Sequence, residues 1–157
     1  MSTDLIDQHS QIHETAQIGK NVKVGPWCSI GANVTIGDGT VLESHIVIRS
    51  NTKIGKNNRI FQFSSIGEDP ADKKFQGEET WLEIGDNNIF REGVTAHRGT
   101  EAGGSRTKIG CNNLLIPYVH IAHDCAVGKN IVVANNVVIS GHVEDWDGAK
   151  LGGCAGL

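Results

Sequence analysis

The fold is decided by residues 11–48, which read QIHETAQIGKNVKVGPWCSIGANVTIGDGTVLESHIVI. Every sixth residue of this stretch is aliphatic, and the column continues in phase to residue 66. Its members are Ile12, Ile18, Val24, Ile30, Ile36, Leu42, Ile48, Ile54, Ile60 and Ile66. A short fixed period is the signature of a repeat architecture, and it overrides any local assignment of helix or strand.

Each hexad predicts one short strand followed by one turn. The aliphatic residue points inward, a small or β-branched residue lies two positions before it, and Gly, Asn or Asp permits the turn. Three hexads complete a triangular coil, and stacked coils pair their strands in parallel. The pattern therefore predicts an all-β fold, a parallel β-helix built of hexapeptide repeats, with residues 1–157 as one domain.

The column is broken twice, and each break predicts an external loop. The first break lies between Gly67 and Glu83, and the second runs from Arg98 to Lys108. After the second break the column resumes one residue out of phase, and only Asp145 interrupts it before Leu157. Long excursions from a compact repeat add no core and are usually functional.

The composition excludes several classes of protein. A formal net charge of −4 gives no basic field for a phosphodiester backbone, so we expect no nucleic-acid partner. No run of about 18 apolar residues occurs, so we expect no stable membrane insertion. The 4 cysteines lie far apart without a CxxC pair, which argues against a disulfide scaffold or zinc knuckle and favours reduced thiols in the cytoplasm.

Four histidines, His97, His120, His123 and His142, fall in the later coils, where Ile, Val and Gly dominate. Their spacing can bring them together on one edge of the solenoid or across a subunit junction. His123 beside Asp124 suggests general-base chemistry, in which a carboxylate orients an imidazole that accepts a proton. Adjacent strand residues point to opposite faces, so the pair acts together only if a turn reorients them.

Other readings remain open for the residues that interrupt the repeat. Converging neutral imidazoles can hold zinc in a three-histidine site. Asp72 and Lys74 belong either to a solvated charge run or to a cover over a cleft, with the lysine meeting a phosphate. Gly141 either presents its N–H to a developing oxyanion or is one more turn glycine.

Four segments resemble a known family. They read IFQFSSIGE at 60–68, DKKFQGEET at 72–80, REGVTAHRGT at 91–100 and HIAHD at 120–124. Together with the hexad repeat they are similar to the UDP-N-acetylglucosamine O-acyltransferases of lipid A synthesis, over essentially the whole chain. The resemblance implies a left-handed parallel β-helix that assembles as a homotrimer, with active sites between neighbouring subunits.

The resemblance also implies a reaction. A 3-hydroxyacyl chain passes directly from acyl carrier protein to the glucosamine 3-hydroxyl of UDP-N-acetylglucosamine, the first step of lipid A biosynthesis, without metal or cofactor. By motif, His123 corresponds to the general base and Asp124 to its orienting partner. The substrate-binding positions implied by the same motifs are Asp72 and Lys74 at the sugar and phosphates, Gly141 at the thioester oxyanion, and His97, His120 and His142 around the sugar and acyl chain.

The sequence departs from the family pattern in two places. Ala96 stands where a larger aliphatic residue usually precedes the histidine, which loosens packing near His97 without removing the site. The chain ends at Leu157 in mid-coil, whereas family members continue into further coils and a C-terminal helical domain. We therefore expect a truncated form, whose own activity the sequence does not decide.

Two alternative functions belong to other classes. One is a zinc-dependent hydratase similar to the gamma-class carbonic anhydrases, which share the hexapeptide repeat. The other is a non-catalytic trimeric module that binds a nucleotide sugar without reacting.

Overall fold

A computed structural model describes residues 5–144 and 147–157 of the chain. Within these ranges the regular structure consists of short parallel strands in three sheets, without an α-helix. None of the described residues forms a helix that is long and apolar enough to cross a bilayer. The predicted all-β solenoid is confirmed, while the interruption at Asp145 lies outside the described residues.

The strands of the described residues, in chain order, are β1 (Gln11–Ile12), β2 (Gln17–Ile18), β3 (Lys23–Val24), β4 (Ser29–Ile30), β5 (Thr35–Ile36), β6 (Val41–Leu42), β7 (Val47–Ile48), β8 (Thr52–Ile54), β9 (Arg59–Ile60), β10 (Ser65–Glu68), β11 (Trp81–Ile84), β12 (Ile89–Phe90), β13 (Thr95–His97), β14 (Arg106–Ile109), β15 (Leu114–Leu115), β16 (His120–Ile121), β17 (Ala126–Val127), β18 (Val132–Val133), β19 (Val138–Ile139) and β20 (Lys150–Leu151).

Each sheet forms one face of a triangular prism. Face 1 has the strand order β1-β4-β7-β10-β13-β16-β19, face 2 is β2-β5-β8-β11-β14-β17, and face 3 is β3-β6-β9-β12-β15-β18-β20. Gln11 lies opposite Ser29 and Ile12 opposite Ile30, so equivalent residues of successive coils are three hexads apart. The coils form a left-handed parallel β-helix, opposite to the usual right-handed crossover between parallel strands.

The aliphatic column forms the core of the prism. Ile30, Ile48 and Ile66 follow one another down face 1, Ala96 comes next, and Ile121 and Ile139 continue the column; all six are almost fully buried. Burying an isoleucine side chain contributes about 1.5–3 kcal/mol, so the stack supplies the main stabilisation of a fold with few aromatic residues.

Asparagine occurs at left-handed turns more often than glycine or any other residue type of the described chain. Asn21, Asn33, Asn51, Asn57, Asn87, Asn112, Asn130 and Asn136 all have φ between 53° and 59°. Asparagine tolerates this region because its short side chain bonds locally. The glycine after the aliphatic residue is needed mainly for close approach: a Cβ on Gly37 would lie 2.6 Å from the backbone of Gly55 in the next coil.

Both predicted loops leave the prism, and both are shorter than the sequence breaks. The first comprises residues 69–80, because β10 continues to Glu68 and β11 begins at Trp81. The second comprises residues 98–105, because β14 begins at Arg106. Arg98 joins the loops, since its guanidinium pairs with Asp69 and its N–H donates to the Glu68 carbonyl at 3.0 Å.

Candidate active site

His123 and Asp124 form a hydrogen-bonded pair at the corner between faces 1 and 2. The Nδ1 atom of His123 lies 2.8 Å from Oδ2 of Asp124. Asp124 adopts a left-handed conformation with φ of 60°, and this turn brings two adjacent side chains to the same side of the backbone. We expected the two side chains to act together only if a turn reorients them, and this turn does so.

The Asp124 carboxylate is enclosed by hydrogen-bond donors and has no exposed surface. The N–H of Thr100 donates to Oδ1 at 2.7 Å, and its hydroxyl donates to Oδ2 at 2.6 Å. The N–H of Asp124 itself donates to the Thr107 hydroxyl at 2.8 Å. Carboxylate and turn are thus both fixed, the carboxylate by the second loop and the turn by β14.

These contacts keep Asp124 ionised. Burial alone raises the pKa of its carboxyl, but the hydrogen bonds from Thr100 and His123 outweigh burial and hold the pKa below the ordinary value. An ionised Asp124 accepts a hydrogen bond from the Nδ1–H of His123, which leaves Nε2 as the ring nitrogen with the lone pair. The His123 side chain is 15% exposed, so solvent or a ligand can reach the ring.

His97 and His120 form a second pair, in which His120 belongs to the same coil as His123 and His97 to the preceding coil. Their rings meet edge to face with centroids 4.8 Å apart, and Nδ1 of His120 lies 2.7 Å from the Thr95 hydroxyl. Burial lowers the pKa of both imidazoles, and nearby histidines lower it further. Both rings are therefore neutral at neutral pH, when they offer hydrogen bonds without adding positive charge beside His123.

Gly141 and His142 border the ring of His123. A Cβ on Gly141 would lie 2.8 Å from Cε1 and 3.0 Å from Nε2 of His123, so only glycine leaves the imidazole in place. The His142 ring is edge to face with that of His123, at a centroid distance of 5.3 Å, and is 60% exposed. The N–H of Gly141 donates to no acceptor within the described parts of the chain, which leaves it available to a ligand.

His123, Asp124 and His142 also form a group whose potential metal-ligating atoms lie within 4.8 Å of one another. It contains two imidazoles and one carboxylate rather than three imidazoles. Oδ2 of Asp124 already accepts hydrogen bonds from Thr100 and His123, and a zinc ion on that oxygen would compete with both. The donor set therefore fits a proton-transfer pair better than the three-histidine zinc site considered from the sequence.

Asp72 and Lys74 lie in the first loop, apart from the histidines. Oδ1 of Asp72 accepts the N–H of Lys74 at 2.9 Å, which closes a local turn, and the Lys74 side chain is exposed. Within the described residues of this single chain, no hydrogen bond or ion pair joins either side chain to His97, His120 or His123. The contacts of the described residues therefore link His123 with Asp124, Gly141 and His142, and His97 with His120, but they do not include these two loop residues.

Thr95 and Thr100 were not singled out from the sequence, although each bonds a member of the cluster. Thr95 lies directly opposite His120 in the ladder of face 1, so coil register alone could have found it. Thr100 approaches Asp124 only because the second loop folds back, and no hexad spacing predicts that contact. Cys125 is almost fully buried in the core, and this burial raises the pKa of its thiol.

Comparison with known proteins identifies the relatives of this chain. The bacterial transferase hexapeptide (six repeats) model matches residues 9–44 and 106–141. The acyl-[acyl-carrier-protein]--UDP-N-acetylglucosamine O-acyltransferase of Pseudomonas fluorescens is 54% identical over 144 residues, which cover 90% of this chain and 56% of the relative.

Solved structures agree with the sequence comparison. The UDP-N-acetylglucosamine O-acyltransferase of Moraxella catarrhalis RH4 is 49% identical and superposes with a TM-score of 0.96, covering 97% of this chain and 59% of the relative. LpxA from Acinetobacter baumannii is 52% identical, with a TM-score of 0.97 over 98% of this chain and 59% of the relative. The chain thus spans little more than half the length of these relatives.

Proposed function

Because this chain belongs to the UDP-N-acetylglucosamine O-acyltransferase family, we propose that it transfers a 3-hydroxyacyl chain from acyl carrier protein to the 3-hydroxyl of UDP-N-acetylglucosamine, the first step of lipid A biosynthesis. The observation that carries the proposal is the His123–Asp124 pair. Its buried carboxylate lies 2.8 Å from Nδ1 of a ring that is 15% exposed, and the bond to Nδ1 leaves the lone pair on Nε2. This is the arrangement that a general base for an alcohol requires.

The reaction begins when Nε2 of His123 takes the proton from the sugar 3-hydroxyl. The hydroxyl oxygen attacks the thioester carbonyl carbon, and the carbonyl oxygen becomes an oxyanion. Collapse of this intermediate breaks the carbon–sulfur bond, and the imidazolium returns the proton to the departing thiol of the carrier. Asp124 stays ionised throughout and stabilises the imidazolium, because Thr100 and His123 donate to it.

We assign oxyanion stabilisation and substrate binding to the neighbours of His123. The unpaired N–H of Gly141 donates to the oxyanion, where a fixed donor is worth most because charge develops there. His97, His120 and His142 line the acceptor sugar and acyl chain. The neutral state of His97 and His120 matters, because a cation beside His123 would disfavour the imidazolium that the reaction forms.

We assign Asp72 and Lys74 to the sugar and phosphates of the nucleotide, and we propose that they act across the subunit junction of a homotrimer. The described residues of one chain show no hydrogen bond or ion pair between these side chains and the histidines, which is compatible with a contribution from a neighbouring copy. Lys74 is exposed, so its ammonium is free to meet a phosphate as a point charge. We place the protein in the cytoplasm, where four unpaired thiols are expected to remain reduced.

A transfer assay with this chain tests the proposal. The chain is incubated with UDP-N-acetylglucosamine and 3-hydroxyacyl carrier protein, and mass spectrometry follows the acylated sugar while a thiol reagent follows the released carrier. We expect equal amounts of both, and no product from an acceptor that lacks the 3-hydroxyl. Nucleotide-sugar binding by calorimetry without transfer would contradict the proposal and favour the non-catalytic binding module.

A further inference from the structure

Thr100, in the loop formed by residues 98–105, contacts the His123–Asp124 dyad. Thr100 holds both oxygens of Asp124, with its N–H on Oδ1 at 2.7 Å and its hydroxyl on Oδ2 at 2.6 Å. Two donors from one residue fix the plane of the carboxylate as well as its position. Oδ2 is also the atom that lies 2.8 Å from Nδ1 of His123, so fixing the Asp124 carboxylate also fixes the orientation of the imidazole.

Thr100 is itself fixed independently of Asp124. The residue is 6% exposed, and its carbonyl accepts the N–H of Ser105 at 2.7 Å. The N–H of Gly103 is shared between the Thr100 hydroxyl, at 3.1 Å, and the Thr100 carbonyl, at 3.2 Å. Because that N–H occupies a lone pair of the hydroxyl oxygen, the hydroxyl proton is directed at Oδ2 of Asp124. Gly103 allows the loop to close this tightly, since a Cβ there would overlap the carboxylate.

We infer that Thr100 is a positioning residue of the acyl-transfer site, whose hydroxyl locks the Asp124 carboxylate so that His123 keeps its proton on Nδ1 and its lone pair on Nε2. The inference deepens the proposed function and rests on it for its catalytic consequence. The structural part, control of the imidazole tautomer, stands independently of any reaction.

Two variants separate the hydroxyl from the shape of the side chain. Thr100→Val removes the donor and retains the branched outline, whereas Thr100→Ser retains the donor. Thr35→Val is the matched control, because it makes the same substitution far from the dyad. Thr35 lies in β5, three strands along face 2 from β14, the strand that fixes the turn at Asp124. Nitrogen chemical shifts of the His123 ring, measured by NMR above the pH of its titration, report which ring nitrogen carries the proton.

In the unmutated chain we expect His123 to carry its proton on Nδ1, and in Thr100→Val we expect a mixture of both tautomers. The kcat of Thr100→Val should fall about 10- to 100-fold, the loss expected for a hydrogen bond to a charged group, with little change in the KM of the nucleotide sugar. Thr100→Ser should restore most of the kcat and the Nδ1–H tautomer. Thr35→Val should match the unmutated chain in both measurements.

An unchanged tautomer in Thr100→Val would overturn the inference, and so would a Thr100→Ser variant as impaired as the valine. If the valine variant fails to fold, the unmutated chain still decides the matter. A slowly exchanging Thr100 hydroxyl proton in its NMR spectrum supports the inference, and a rapidly exchanging one contradicts it. If the unmutated chain shows no acyl transfer, the proposed function fails while the tautomer measurement still tests Thr100.

Discussion

Replacing the Asp124 carboxylate by an amide should invert the tautomer of His123. In Asp124→Asn, the Thr100 N–H cannot turn around, so it selects the amide oxygen for the position of Oδ1. The amide NH₂ then occupies the position of Oδ2, facing the Thr100 hydroxyl and Nδ1 of His123. A hydroxyl can rotate to accept this donor, but Nδ1 accepts only if its proton moves to Nε2. The ring then has no lone pair for the sugar hydroxyl.

The size of this effect follows from the role of the base. General-base catalysis contributes about 10²–10⁴-fold, so we expect kcat of Asp124→Asn to fall by about that factor, which corresponds to roughly 3–5 kcal/mol. The free energy of unfolding should fall by only about 1–3 kcal/mol, because charge-assisted hydrogen bonds are exchanged for neutral ones in an intact loop. The KM of the nucleotide sugar should change little, since the substitution leaves the outer surface of the site as it was.

Steady-state kinetics of acyl transfer, thermal unfolding and ring-nitrogen NMR on the same preparation make the test complete. Thr100→Ser serves as the control that keeps three donors around an ionised Asp124. If Asp124→Asn retains the kcat of the unmutated chain, or loses activity with His123 still protonated on Nδ1, the reasoning from donor geometry is refuted.

Gly141→Ala should lower kcat without unfolding the chain, because its Cβ would lie 2.8 Å from Cε1 of His123; kinetics and thermal unfolding measured together check this. Lys74→Ala should raise the KM of the nucleotide sugar more than it alters the melting temperature, since an exposed lysine contributes little to stability. The melting temperature should fall as pH is lowered through about 6.5, because folding lowers the pKa of His97 and His120, so the unfolded chain binds more protons there. Replacing His97 by glutamine should flatten this dependence.

The glycine and lysine substitutions each have a matched control. Gly152→Ala has open space at its Cβ and should behave like the unmutated chain. Lys73→Ala removes the neighbouring exposed lysine of the same loop and should leave KM unchanged. If neither lysine substitution changes the KM of the nucleotide sugar, the charged residues of the first loop are only a solvated charge run. A melting temperature that does not vary between pH 5 and 7.5, about the ordinary range of histidine titration, would contradict the assigned neutral state of the buried pair.

The core could be predicted from the sequence because one physical rule determines it. Each inward-facing residue of one coil packs against the residue at the equivalent position of the next coil. Burial therefore selects an aliphatic side chain in each coil, as it does for Ile30, Ile48 and Ile66. The same rule accounts for the first loop, since Asp72 and Glu78 cannot occupy that column. Loop boundaries were predicted less well, because β11 and β14 begin before the hydrophobic phase resumes.

The arrangement of the site could be predicted only in part. The sequence identified His123 and Asp124, but whether they cooperate depends on one backbone angle, the φ of 60° at Asp124. The contact with Thr100 depends on how residues 98–105 fold back, and a loop outside the repeat carries no register from which to deduce it. The proposed role of Asp72 and Lys74 beside the histidines rests on the proposed assembly, which the spacing of residues within one chain does not encode.

The most direct test of the account is the turnover of His123→Ala, measured at saturating substrates beside its affinity for UDP-N-acetylglucosamine by calorimetry. Removing the base should lower kcat by about 10²–10⁴-fold. The nucleotide-sugar Kd should stay near that of the unmutated chain, because the loop residues and the other histidines remain. Unimpaired turnover in His123→Ala would remove the imidazole from the reaction and contradict the mechanism at its centre.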